Sequence, residues 1–281
     1  MVERVKTTEA AVPIAVLRVS RFMRQKPLGA TGLALLLLLS MVALVGPSIA
    51  PFDPYESHAE FRLTAPSRQM LLGGDQLGRD VLSRLIYGSR VSLYVGVMSA
   101  AIGVSVGAII GTISGYFGGI VDLLTQRVVD AFMPFPSIIL GVAIMGVLGA
   151  SIENVILALT IVLIPGSART IRAQALALGQ MEYAVGARAL GCSDFRIILR
   201  HILPNVVPTY IVLATMSMGY TIVAEASLSF LGVGTPPDVP SWGAWRARPY
   251  RRNWDVRPGS LCSLGLSSQW RCSVSICWAT L

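Results

Sequence analysis

Charged residues are scarce in this sequence. Only 14% of its 281 residues are Asp, Glu, Lys or Arg, whereas soluble globular domains carry about 25%. Hydrophobic residues make up 53% of the chain. A soluble protein of this composition would need amphipathic helices around its apolar ones, and the sequence offers few. This imbalance excludes an ordinary water-soluble domain.

Histidine and cysteine are equally rare. The two histidines, His58 and His201, fall on opposite sides of the membrane in the topology described below. Of the four cysteines, Cys192 alone lies outside the C-terminal tail, and no pair has metal-ligand spacing. No Ser or Cys has an identifiable base, and no acidic pair has metal-ligand spacing. We therefore expect no metal site, no disulfide framework and no catalytic residues.

Long uncharged stretches are what the chain has instead. A bilayer core about 30 Å thick needs roughly 20 apolar residues per helical crossing. Five such stretches are bounded by Lys26 and Asp53, Arg90 and Asp122, Asp130 and Glu153, Glu153 and Arg169, and Arg200 and Glu225. They predict an all-α polytopic membrane protein with five spans.

The basic residues set the orientation. The net charge is +8, but the basic side chains flank apolar stretches and form no interleaved aromatic and basic face, so we expect no nucleic acid partner. Positive residues beside a span stay in the cytoplasm, and six of them precede the first span. The predicted order is a cytoplasmic segment (1–27), a first transmembrane helix (28–50), an extracytoplasmic segment (51–90) and a transmembrane core (91–244).

The second uncharged stretch carries a glycine at every fourth position. Gly103, Gly107, Gly111 and Gly115 lie on one helix face. Small residues let helix backbones approach closely in lipid. The spacing predicts a packing seam for a helix of this chain or of a partner chain; the alternative is glycine as general filler of a membrane helix.

A polar loop follows the fourth span. Residues 181–204 read MEYAVGARALGCSDFRIILRHILP. The first half favours a helix, and Gly191 stands where a left-handed C-terminal cap is expected. Ser193 or Asp194 would cap a second helix that Pro204 ends. We predict a cytoplasmic helix-turn-helix, which serves either as a docking surface or as an interfacial connection between two spans.

Three stretches together resemble one family. The polar loop, with Gly191 and Leu203-Pro204, is similar to the coupling loop of permease subunits in binding-protein-dependent ATP-binding-cassette (ABC) importers. Residues 71–85, LLGGDQLGRDVLSRL, and residues 225–232, EASLSFLG, with PSWG at 240–243, look like the dipeptide, oligopeptide and nickel branch of that family. Three ordered matches form a specific signal.

The resemblance implies the transmembrane domain of a type I ABC importer in a bacterial inner membrane, with a cytoplasmic N-terminus. It implies as partners a second permease subunit, two ABC ATPase subunits, an extracytoplasmic solute-binding protein and the lipid bilayer. The permease would bind no cofactor directly, because ATP is used by the partner ATPases. Residues of about 179–204, here named the coupling loop, would dock on an ATPase through Ala187, Arg188, Ala189, Leu190, Gly191, Cys192 and Asp194.

The solute and one outer segment stay open. Di- or oligopeptides are the first expectation, and nickel chelates, glutathione or another small solute are alternatives. The segment from Asp75 to Arg90 would contact the binding protein or gate the outer mouth. Equally, Asp80 and Arg84 would pair at i, i+4 on an interfacial helix.

Two regions depart from the family pattern. The family loop often begins Glu-Ala-Ala, where this chain has Val185, Gly186 and Ala187, so a specific glutamate contact is not expected there. After residue 244 the sequence should enter a sixth span, yet residues 245–281 hold four of the five Trp and three of the four Cys. We interpret this tail as aberrant, the product of a shifted reading frame, with the sixth span lost.

An ion-coupled secondary carrier is the remaining alternative. Carriers place costly ionisable groups inside their spans and often contain internal repeats. The first three uncharged stretches contain no such ionisable group, and the sequence shows no clear internal repeat. Glu153 and Glu225 are expected near span ends, within reach of water. These features favour an ABC permease.

Overall fold

The computed structural model describes residues 27–236 and 238–243. Within these ranges the regular structure is helical, and an isolated bridge joins Gly74 and Asp80. The α-helices are α1 (Pro27–Ile49), α2 (Val81–Phe117), α3 (Gly119–Phe132), α4 (Ser137–Leu148), α5 (Ile152–Gly179), α6 (Glu182–Ala189), α7 (Asp194–Ile197) and α8 (Leu203–Phe230). A 3₁₀ turn covers Ala59–Phe61 and a π-helical turn covers Ile198–Ile202. The predicted helical fold is confirmed for this part of the chain.

Helix α2 is the central element of the fold. It begins where the Asp80 side chain accepts a hydrogen bond from the Ser83 amide at 2.8 Å, which satisfies one of the free N–H groups of the first turn. It runs for 37 residues and ends at Gly118, whose φ of +61° stops the helix. Its main packing partner is α5, and α8 and α1 also lie against it.

Two apolar clusters form the core along these helices. One joins Val95 of α2, Leu159 of α5 and Leu228 of α8. The other joins Ala108 of α2 and Ile171 of α5 to residues of α6, α7 and the π-helical turn. The coupling loop is therefore built onto the second cluster and does not hang free from the helices.

Helix length and composition identify fewer spans in the structure than the sequence predicts. Among the described residues, three helices are long and apolar enough to cross a bilayer, namely Val81–Phe117, Ile152–Gly179 and the continuous Asp194–Phe230. A fourth is obtained if α3 and α4 together form one bent span. In α1 the apolar part is Ala34–Ile49, which is shorter. The predicted count of five stays a prediction.

A sharp bend separates α3 from α4. The two helices meet at 85°, across a break that contains Pro134 and Pro136. Proline removes a backbone donor and clashes with the preceding helical turn, which explains the break. Helix α3 occupies the region between the end of α2 and this break.

The prediction that Pro204 ends the second loop helix is wrong. From Asp194 the helix continues through the π-helical turn Ile198–Ile202 into α8. Pro204 lies just after this π-helical turn, so the helix continues past the proline at a local change of helical spacing. The second arm of the coupling loop is thus the start of the last described helix.

The predicted cytoplasmic segment 1–27 lies almost wholly outside the described residues. The predicted aberrant tail, 245–281, lies entirely outside them.

Candidate functional site

The coupling loop forms a compact turn between α6 and α7. Its amides close a Schellman motif: Cys192 N donates to Ala187 O at 3.1 Å and Gly191 N donates to Arg188 O at 3.0 Å. Gly191 has φ of +79°, the left-handed conformation that the sequence predicts and that glycine adopts without a Cβ penalty. Ser193 is the N-cap residue of α7.

One side of this loop packs onto the transmembrane helices. Ala184, Ile197 and Ile202 are buried against Ile171 and Ala175 of α5. Two of the predicted docking residues, Ala187 and Cys192, also turn towards this cluster. They hold the loop on the protein and offer little surface to a partner.

The opposite side of the loop is exposed and partly apolar. The predicted docking residues Arg188, Ala189, Leu190, Gly191 and Asp194 lie here. Leu190 is 86% exposed and Phe195 is 72% exposed. Large apolar side chains grouped on a surface mark contact sites for other proteins. We name the exposed side chains of Val185, Leu190 and Phe195 the apolar tip.

Sequence reasoning misses two residues of the apolar tip. It assigns Val185 and Phe195 to the two helices and gives them no docking role. The helical period contains a signal for them. Ala184 and Ile197 are buried, and once these apolar residues are placed on the inner face of each short helix, Val185 and Phe195 fall on the exposed face. Arg188, Arg196 and Arg200 of the coupling loop are exposed as well.

A tyrosine at the end of α2 contacts both arms of the coupling loop. The Tyr116 hydroxyl donates to Asp194 Oδ1 at 2.6 Å. The Arg188 guanidinium carbon lies 5.3 Å from the centroid of the Tyr116 ring, within the range of a cation–π interaction. Interaction with Tyr116 raises the pKa of Arg188 above its ordinary value.

The glycine seam faces a helix of the same chain. A Cβ placed on Gly111 would lie 2.3 Å from Ala168 O, and one on Gly115 would lie 2.6 Å from Arg172 O. Similar close contacts join Gly103 and Gly107 to residues 160–168. All four glycines therefore lie where α2 and α5 approach backbone to backbone.

Salt bridges hold α3 against α5 beside this seam. Arg172 Nε and Nη2 donate to the two carboxylate oxygens of Asp122, each at 2.5 Å. Ser114 of α2 donates to the same carboxylate at 2.5 Å. A second ion pair joins Arg169 and Asp130. Paired charges satisfy one another near the end of the spans, where single charges would be costly.

The segment before α2, which is predicted to lie outside, is folded around a buried ionic turn. Asp75 accepts hydrogen bonds from the amides of Leu77 at 2.8 Å and Arg79 at 2.9 Å. Its other oxygen lies 3.2 Å from Arg79 Nε and 3.9 Å from Arg84 Nε. Arg84 Nη1 also donates to Pro54 O at 2.9 Å.

The suggested i, i+4 pair of Asp80 and Arg84 is therefore not the main contact of either residue. Asp80 caps α2 through Ser83, and Arg84 pairs with the Asp75 turn. Both side chains are buried. They fasten the outer segment to the start of α2.

A second buried polar network joins the end of α8 to α2. Glu225 is 0% exposed, with Oε1 2.9 Å from Ser229 Oγ and Oε2 3.4 Å from Ser92 Oγ. Ser229 Oγ in turn lies 3.1 Å from Thr235 Oγ1. The expectation that Glu225 reaches water is wrong, because the loop after α8 folds back and covers its side chain. Glu153 is exposed, as expected.

Trp242 closes one side of this network. Its Nε1 donates to Leu85 O at 3.1 Å and its backbone N donates to Ser92 Oγ at 3.3 Å. Gly88 makes room for it, since a Cβ there would lie 3.1 Å from the indole ring. The EASLSFLG and PSWG stretches thus fold together onto α2.

An open groove of about 370 Å³ lies between α4, α5 and α8 and is here called the cavity. None of its described lining residues is charged. Five of them carry hydroxyl groups, namely Ser137, Ser167, Thr170, Ser217 and Tyr220. The cavity offers hydrogen-bonding groups to a polar solute without a fixed charge.

Comparison with known proteins agrees with these features. Residues 107–245 match the model of the binding-protein-dependent transport system inner membrane component, and residues 18–66 match that of the N-terminal transmembrane domain of oligopeptide transport permease C. A protein of Brucella suis biovar 1, named for a peptide transport system permease, is 42% identical over 229 residues, which cover 82% of this chain and 77% of that protein. The glutathione transport system permease protein of Pectobacterium atrosepticum is 39% identical, over 80% of this chain and 74% of the relative.

The fold has a solved counterpart. The membrane chain of an inward-facing methionine ABC transporter superposes with a TM-score of 0.51 and 19% identity, over 70% of this chain and 94% of that chain. At this identity the likeness concerns the fold alone. The sequence matches cover most of both partners, and the chain belongs to the inner membrane permease components of binding-protein-dependent ABC importers, in the dipeptide, oligopeptide and nickel branch.

Proposed function

We propose that this chain forms one half of a membrane pathway that imports di- or oligopeptides into the cytoplasm. Its N-terminus is cytoplasmic and the coupling loop lies on the same side of the inner membrane. A second permease completes the pathway, two ATPase subunits supply the energy and an extracytoplasmic binding protein delivers the solute. The chain binds no cofactor itself.

The apolar tip is the observation that supports docking of an ATPase. Leu190 and Phe195 project from a loop whose other side is buried against α5. Exposed apolar side chains of this size are unfavourable in water. Their burial in a groove of a partner would contribute about 1.5–3 kcal/mol per residue to the free energy of binding. The exposed arginines of the coupling loop favour a groove with an acidic rim.

Copurification tests the docking. We expect Leu190→Asp to reduce recovery of the ATPase subunits with the tagged chain at least about tenfold, since it puts a charge in an apolar contact. Leu71→Asp is the matched control, because Leu71 is also exposed but lies in the outer segment. Equal ATPase recovery with both variants would contradict the assignment.

Thiol labelling tests the orientation independently of any partner. In a cysteine-free background, and in intact cells that lack the ATPase subunits, Leu190→Cys should react with a membrane-permeant maleimide but not with an impermeant one. Leu71→Cys should react with both reagents. The reverse pattern would place the coupling loop outside, where no cytoplasmic ATPase reaches it.

The solute proposal rests on the named relatives and on the uncharged, hydroxyl-lined cavity. Peptide bonds offer paired donors and acceptors that hydroxyl groups can match. In cells that lack this chain and the related permeases, complementation should restore uptake of radiolabelled dialanine. Restored uptake of glutathione without dialanine would favour the glutathione alternative, and uptake of a nickel chelate alone would favour the nickel alternative.

We also propose that the tail of residues 245–281 arises from a shifted reading frame. Resequencing of the locus should show about 20 apolar codons downstream in another frame, as one span requires. If resequencing confirms the reading frame that encodes residues 245–281, the proposal is contradicted.

A further inference from the structure

We propose that Tyr116 is a positioning residue that ties the coupling loop to α2 and carries movement of the loop into the membrane core. The inference rests on the proposed docking of an ATPase at this loop. It assigns the connection to a side chain that lies outside the loop itself.

The hydroxyl of Tyr116 provides the first part of the tie. It donates to Asp194 Oδ1 at 2.6 Å, and Asp194 is the first residue of α7. Hydrogen bonds to a charged acceptor are shorter and stronger than neutral ones. This bond links the last turn of α2 to the start of the helix that continues to Phe230.

The aromatic ring provides the second part. The Arg188 guanidinium lies over it at 5.3 Å, and Arg188 belongs to the last turn of α6. The ring also packs against the apolar cluster that contains Ala184 and Ile197. One side chain therefore holds both arms of the coupling loop, one by its hydroxyl and the other by its π face.

The position of Tyr116 on α2 makes this tie useful for transmission. Helix α2 packs extensively on α5 and also contacts α8 and α1. A push on the exposed apolar tip would reach these helices through Tyr116 as well as through the covalent ends of the loop. Because Arg188 and Asp194 are both exposed, the tie adds little to the burial that stabilises the fold, and its main effect is on the relative movement of loop and helix.

Two measurements separate this role from simple stability. The first is the distance between spin labels at Ile113 and Val185, both exposed, in the purified cysteine-free chain. The second is the ratio of ATPase rates with and without the binding protein in the assembled importer. Variants are Tyr116→Phe, which removes only the hydroxyl, and Tyr116→Leu, which also removes the ring. Tyr94→Phe is the control, since Tyr94 is half exposed on the same helix.

Tyr116→Phe should broaden the distance distribution and lower the stimulation ratio about three- to tenfold, as expected for one lost hydrogen bond. Tyr116→Leu should lower the ratio further. ATPase copurification and the basal ATPase rate should stay within about twofold, which a destabilised chain would not achieve. In the purified chain, Asp194→Ala should add little to the broadening of the distance distribution caused by Tyr116→Phe, since the two share one contact.

An unchanged stimulation ratio in both Tyr116 variants would overturn the inference, and so would loss of ATPase copurification in Tyr116→Phe. If the unaltered chain fails to copurify ATPases, the proposed docking is wrong and the coupling role falls with it. The copurification of the unaltered chain thus distinguishes the two failures.

Discussion

Gly111 offers the sharpest test of the seam between α2 and α5. A Cβ at this position would lie 2.3 Å from Ala168 O and 2.9 Å from Arg172 N. Both atoms belong to the backbone of α5, so no side-chain rotation relieves the overlap. Since ordinary contacts of a Cβ begin near 3.4 Å, Gly111→Ala must push the helices apart by roughly 1 Å, at the expense of close contacts on both surfaces.

The free energy of the change follows from two opposing effects. Overpacking of a tight interface costs about 1–3 kcal/mol. Alanine favours a helix over glycine by about 1 kcal/mol. The net loss should be about 0–2 kcal/mol, and each kcal/mol lost lowers the midpoint of thermal unfolding by about 2–4 °C for a chain of this size.

The assay is thermal unfolding of the detergent-purified chain, followed by helical circular dichroism. Gly166→Ala is the matched control, because Gly166 lies in the interior of α5 and an alanine Cβ there would meet no atom within 4 Å. Its unfolding midpoint should stay the same or rise slightly. If Gly111→Ala is as stable as Gly166→Ala, the close approach of α2 and α5 is wrong.

Three further outcomes are expected. Asp122→Asn removes one charge of the bidentate pair with Arg172 and should destabilise the chain by about 1–2 kcal/mol; Arg172→Gln combined with it should cost little more, as a double-mutant cycle would show. Asp75→Ala removes the acceptor of two backbone amides, so hydrogen exchange in the outer turn should accelerate about tenfold or more, and unchanged exchange would contradict the turn. Trp242→Phe deletes the donor to Leu85 O and should cost about 0.5–1.5 kcal/mol in SDS-induced unfolding, whereas a neutral result would show that the loop after α8 does not rest on α2.

Much of the helical fold could be predicted from composition and spacing. The four-residue repeat of Gly103 to Gly115 indicates a close helix contact because only small residues allow backbones to touch. The spacing does not say which helix is the partner. The structure identifies the partner as α5, because the carbonyl groups of Ala168 and Arg172 lie against the glycines. The sequence around these two residues contains no pattern that would predict this contact.

The turn of the coupling loop could also be predicted, because Gly191 needs a left-handed conformation that few other residues accept. The end of its second helix could not. Pro204 usually terminates a helix, and here a local change to π-helical spacing lets the helix continue. Such a change depends on packing of Ile197 and Ile202 in the core, which a linear pattern does not contain.

Contacts between distant residues escape prediction for the same reason. Tyr116 and Asp194 are 78 positions apart, and Ser92 and Glu225 are 133 apart. Each pair forms only because α2 lies beside both α8 and the coupling loop. Sequence periodicity reports the environment of a residue along its own helix and carries no information on such partners.

The continuous helix from Asp194 to Phe230 has a mechanical consequence. At 1.5 Å per residue its 37 residues form a rod about 55 Å long, longer than the hydrocarbon thickness of a bilayer. No loop separates its two ends. A displacement of the end at Phe195 would therefore also move the end at Phe230 through the helix itself.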